Sequence, residues 1–132
     1  MRFRGATVDE NALFQAASLS KAVSAAAILI LAQREGIDID GDIRKHVTRL
    51  DWNSIHGGDL PLTLRELLSH TAGATVYGFD GYRRGIKNLP NSVGVVQGKG
   101  NSPAVQLSGK KGTYSYSGGG CMITQVFAED VS

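Results

Sequence analysis

The chain has 132 residues, 42% of them hydrophobic and 20% charged, which suits one globular domain with a real core and not two. A formal net charge of +2 from scattered basic residues gives no electrostatic footprint for nucleic acid. A single cysteine, Cys121, excludes an internal disulfide, and the longest uncharged apolar run, Ala22 to Ala32, is too short to span a bilayer.

Residues before Phe14 read as an extended or irregular lead-in. "MRFRGATVDENAL" has no apolar h-region, so no secretory signal is expected in it. Ser18 to about Arg34 reads as a helix. Alanine, leucine and isoleucine dominate it, and Gly36 supplies a C-terminal stop. From Ala22 to Ala32 only Ser24 is polar, so this helix is expected to be buried all round. "GIDIDGDIRKHV" reads as a turn leading into a short helix. "LPLTLRELLSHTAG" is the second helix: Thr63 and Glu66 have capping-box spacing, Leu64, Leu67 and Leu68 form its apolar stripe, and Gly73 is expected to end it. Residues 74 to 113 are rich in glycine, proline, asparagine and serine and read as loop, with "VGVVQ" a short helix rather than a strand. "GTYSYSGGG" reads as a turn or loop, and "CMITQVFAEDV" as the start of a third helix. No internal repeat or interdomain linker interrupts the chain, which reads as one domain over 1–132.

Ser18 and Lys21 stand at the mouth of the first helix. A lysine in a first turn is on the wrong side of the macrodipole, and here it also leads into an apolar segment. Residues at i and i+3 share a helical face, so the Ser18 hydroxyl can meet the Lys21 amine. A partly desolvated lysine has a lowered pKa and can act as a base, and a helix N-terminus favours a developing alkoxide. The same residues also read as an N-cap serine and a lysine that snorkels to water.

Three blocks, "LFQAASLSKAVSAAAILILAQREG", "LTLRELLSHTAG" and "GTYSYSGGGCMITQ", together resemble the class C β-lactamase-like serine hydrolases. That family includes class C β-lactamases, low-molecular-weight penicillin-binding proteins and β-lactamase-fold esterases. The resemblance runs from about Leu13 to Phe127. It implies that Ser18 accepts the acyl group, that Lys21 is its base, and that Tyr116 passes protons from the position of the family's Tyr-x-Asn motif. Tyr114 is the rival for that role. Ser117 and Gly118 fall at the substrate-binding edge. The resemblance implies a small-molecule ester, β-lactam or peptidoglycan-peptide substrate and no cofactor. Relatives are mostly periplasmic or secreted.

His70 is expected to be structural, its imidazole satisfying a carbonyl at the end of the second helix. His46 and His56 lack cysteine or carboxylate partners at metal-ligand spacing, so no metal site is expected. Cys121 is expected to pack within the third helix. "GVVQGKGNS" has the wrong spacing for a phosphate loop, and "SGKKGT" is not the family's Lys-Thr-Gly.

The chain departs from the family pattern in two ways. Gly118 replaces the asparagine of Tyr-x-Asn, which tilts the expectation from lactams toward an esterase or peptidase-like activity. The family's central antiparallel sheet is built from strands before the Ser-x-x-Lys helix and well after the tyrosine motif, and one late strand supplies an oxyanion donor. The chain is therefore expected to be a fragment: the helical middle of an α+β β-lactamase/transpeptidase-like fold, predominantly α with little β, and weak or inactive by itself. The alternative is a non-catalytic helical remnant, or interaction module, that self-associates or joins a complementing chain through the uncovered face of the first helix.

Overall fold

Ile123, Val126 and Phe127 are fully buried, and the helix that carries them organises the rest of the chain. The computed structural model describes residues 8–132. Its helices are α1 (Ser20–Arg34), α2 (Leu64–Leu68), α3 (Ser92–Val96) and α4 (Gly118–Val131), with 3-10 turns at Ala17–Leu19, Ile43–Lys45 and Trp52–Ser54. Among the described residues there is no strand, and the fold is predominantly α.

Helix α4 packs chiefly on α2 and α3. Leu64 and Leu67 of α2, Val96 of α3, and Ile43, Val47, Leu62 and Val105 from the connections close around it. Its acidic last turn is unfavourable to the helix dipole, and Arg49 offsets this. The Arg49 guanidinium donates to Glu129 at 2.8 Å and also to Asp130. Ser92 donates to Glu129 at 2.6 Å, which ties α4 to the start of α3. Ser92 and then Arg49 hold the Glu129 carboxyl at about 2, well below its ordinary 4.5.

Helix α1 corrects the expectation of all-round burial. Only Ile28 and Ala32 are buried along it, whereas Val23 is 73% and Ile30 58% exposed. The reason is geometric: apart from the 3-10 turn that leads into it, α1 packs chiefly on α4, and along one narrow stripe. Its C-terminus follows the sequence expectation. Gly36 takes φ +64°, and the Ile37 N–H donates to Ala32 O at 2.8 Å while Gly36 N–H donates to Gln33 O. This is a Schellman motif with glycine in its left-handed position.

Helix α2 begins with the expected capping box. Glu66 N–H donates to Thr63 Oγ1, and Thr63 N–H donates back to Glu66 Oε2, both at 3.1 Å. It ends earlier than expected. His70, at φ +58°, takes the left-handed position that closes the helix, three residues before Gly73, which is itself left-handed at φ +70°. Thr71 N–H donates to Glu66 O at 2.8 Å and His70 N–H to Leu67 O at 3.3 Å, so the same Schellman pattern closes here around a histidine.

Helix α4 begins earlier than expected, and Gly118, Gly119 and Gly120 form its first turn. Glycine costs about 1 kcal/mol in a helix interior relative to alanine, so propensity alone argues for a loop. Tertiary contact overrides it. The turn at 75–77 lies directly on this end of the helix: Gly118 N–H donates to Tyr77 O and Gly119 N–H to Val76 O, both at 3.0 Å. A Cβ on Gly119 would stand 2.3 Å from Thr75 O, a distance no side chain tolerates.

Candidate active site

Two elements converge on one point. The 3-10 turn Ala17–Leu19 runs straight into α1 and carries Ser18, and α1 places Lys21 one turn further on. From the other side, extended residues leading into α4 present Tyr116 immediately before the cap residue Ser117. The Ser18 Oγ and Tyr116 Oη lie 2.7 Å apart, although 98 positions separate them in sequence. Lys21 Nζ donates to Ser18 Oγ at 3.2 Å and sits 5.1 Å from the centre of the Tyr116 ring, within cation–π range. Thus the three residues singled out from the sequence meet. Tyr114, the rival phenol, is 68% exposed and contacts the edge of His70 instead.

Ala17, just before the serine, has φ +47°, a left-handed conformation that costs an L-residue roughly 1–2 kcal/mol. Backbone strain of this kind concentrates where a side chain must be aimed.

The charge state of the lysine corrects a sequence expectation. Lys21 is held above its ordinary 10.5, not below it, chiefly by its hydrogen bond to the Tyr116 phenol, which outweighs the opposing effect of burial. The side chain is only half-buried, so desolvation is slight. The matching change falls on the phenol. Tyr116 is pulled below its ordinary 10.0, first by hydrogen bonding with Lys21 and then by hydrogen bonding with Ser18. At this site the amine shifts toward keeping its proton and the phenol toward losing its own.

Ser117 and Gly118 are placed differently from what the motif position suggests. Ser117 is buried, and its hydroxyl donates to Thr75 O at 2.6 Å and accepts the Gly120 N–H at 3.0 Å as the N-cap of α4. Its oxygen is therefore committed to the cap. Gly118 lies on the wall of an open cleft of 420 Å³ that also holds Ser18, Lys21, Tyr77, Phe79 and Met122. A side chain at 118 would bring its Cβ to 3.0 Å from Tyr77 O, so the glycine fits the backbone that crosses it.

His70 also differs from expectation. Its imidazole does not cap a helix carbonyl, because the Schellman hydrogen bonds already do so. Instead, Nδ1 accepts the Ser117 N–H at 3.3 Å, and the ring lies 4.6 Å from the Tyr116 ring. Tyr77 flanks the same phenol at 5.0 Å. Sequence reasoning missed both neighbours. One signal for His70 was legible: the leucine stripe of α2 stops at Leu68, which puts position 70 where glycine is favoured, and a histidine stands there.

The family model described as Beta-lactamase matches residues 1–128 of the chain. Neither the curated proteins nor the solved structures yield a match.

Proposed function

Because the chain belongs to the β-lactamase family, we propose that its site performs serine acyl transfer, with Ser18 as nucleophile, Tyr116 as proton acceptor and Lys21 as the charge that holds the phenolate. The single observation that carries this reading is the 2.7 Å contact between the Ser18 and Tyr116 oxygens beside the Lys21 ammonium. As Ser18 Oγ attacks a carbonyl carbon, its proton passes to the Tyr116 oxygen. The phenol then returns that proton to the departing alkoxide or amine as the carbonyl re-forms, leaving acyl-Ser18. Water attacks this ester along the reverse path, again giving its proton to Tyr116. General acid–base help of this type contributes about a hundredfold to ten-thousandfold.

The cleft favours esters over lactams. Gly118 offers no amide to hold a lactam side chain, and Tyr77, Phe79 and Met122 provide apolar and aromatic walls for an acyl group.

Incubation with a p-nitrophenyl ester and with a fluorescent penicillin, followed by mass spectrometry, tests the reading. An acyl adduct on Ser18, faster from the ester and absent in Ser18→Ala, is the expected result. No adduct at high protein and long times removes catalysis from the site.

A second reading rests on a different observation. Among the described residues, nothing covers the apolar face of α1 that Val23, Leu29 and Ile30 form. A non-catalytic module would associate through it. Concentration-dependent sedimentation, abolished by Ile30→Glu, is what that reading expects; a monomer at all concentrations counts against it.

A further inference from the structure

Ser18, Lys21, Tyr77 and His70 surround the Tyr116 phenol, and His70 also binds the backbone on both sides of it. His70 touches the segment 115–117 at three points. Its carbonyl accepts the Ser115 N–H at 2.8 Å, its Nδ1 accepts the Ser117 N–H at 3.3 Å, and its ring covers the Tyr116 ring between them. His70 makes these contacts from a left-handed backbone at φ +58°, just past the end of α2. A glycine would serve the helix end at lower backbone cost, so the capping geometry does not explain the histidine.

We propose that His70 is a positioning residue that sets the Tyr116 phenol against Ser18, acting through the hydrogen bond from Ser117 N–H to Nδ1. The proposal rests on the acyl-transfer reading above and adds to it the group that aligns the proton acceptor. The hydrogen bond requires the neutral imidazole. Burial, and secondarily the nearby Lys21 ammonium, hold His70 below its ordinary 6.5, so the unprotonated acceptor prevails at neutral pH. The other titratable groups that face the imidazole are the phenols of Tyr114 and Tyr116. With Nδ1 accepting, any imidazole proton sits on Nε2.

The test reads the phenol directly and does not depend on turnover. Alkaline difference spectroscopy counts tyrosinates as pH rises, and the chain has 4 tyrosines. The unmodified protein is expected to show one phenol that titrates below 10, missing from Tyr116→Phe. His70→Phe keeps an aromatic ring but has no acceptor, so that phenol is expected to return to the ordinary range. Acylation of Ser18 by the p-nitrophenyl ester should fall about a hundredfold, the scale of a misplaced reacting group. His70→Asn keeps an acceptor near the Nδ1 position and tolerates the left-handed backbone, so the low titration should persist. If His70→Phe fails to fold by circular dichroism, His70→Asn decides alone. Loss of the low-titrating phenol in folded His70→Asn, or its persistence in folded His70→Phe, overturns the proposal. Absence of any low-titrating phenol in the unmodified protein fails the acyl-transfer site itself, and the role of His70 with it.

Discussion

Ser18 and Tyr116 meet at 2.7 Å, yet the two helices that deliver them are held in unequal ways. Tyr116 precedes α4, whose first turn lies under the 75–77 turn and whose body carries the fully buried Ile123, Val126 and Phe127. Ser18 precedes α1, which is anchored by little more than Ile28 and Ala32. One half of the site is set by a packed core and the other by a single stripe of contact. The distance between Ser18 and Tyr116 therefore depends most on the weaker docking.

The sharpest way to expose this difference is to remove the phenol. Tyr116→Phe leaves the α4 packing intact and should slow Ser18 acylation about a hundredfold to ten-thousandfold, read as adduct formation against time. Next comes the core. Phe127→Ala should destabilise the fold by about 3–5 kcal/mol in a denaturant titration, because the ring has no exposure at all and leaves a cavity behind. A smaller truncation on α1, Val23→Ala, should change stability by no more than about 0.5 kcal/mol, since that side chain is 73% exposed. A comparable loss at Val23 would mean that α1 is covered in solution and would erase the contrast.

Gly119→Ala separates local propensity from packing. Alanine favours a helix, but its Cβ would meet Thr75 O and the Val105 methyls. Overpacking of this sort costs about 1–3 kcal/mol, so thermal unfolding should show a loss rather than a gain.

The pH dependence sharpens the two halves in turn. Acylation should rise with pH through the depressed Tyr116 pKa, below 10, and fall above 10.5 as Lys21 loses its proton. A rate that instead climbs with Lys21 deprotonation would make the amine the base. The smallest effect belongs to the α4 end. Glu129 is depressed from 4.5 to about 2, so its contribution to stability is present above 4.5 and is lost as pH falls toward 2. Its carboxylate is 38% exposed and screened by solvent, so Glu129→Gln should flatten the acid limb of stability only slightly.

Much of this protein was legible in one dimension. The capping box at Thr63 and Glu66, the glycine stop after α1, the short helix at "VGVVQ" and the proximity of Ser18 to Lys21 all follow from contacts within a few residues, where spacing alone fixes geometry. The places where sequence reasoning missed have one cause. The glycine turn of α4, the left-handed His70 and the exposure of α1 are each decided by what another segment places beside them. The same holds for charge. Spacing pointed to Lys21 and the family resemblance to Tyr116, but how their proton affinities shift depends on how closely distant segments approach. The cation–π contact between Lys21 and Tyr116 exists only once the chain has folded, so only the tertiary structure could raise the pKa of one and lower that of the other.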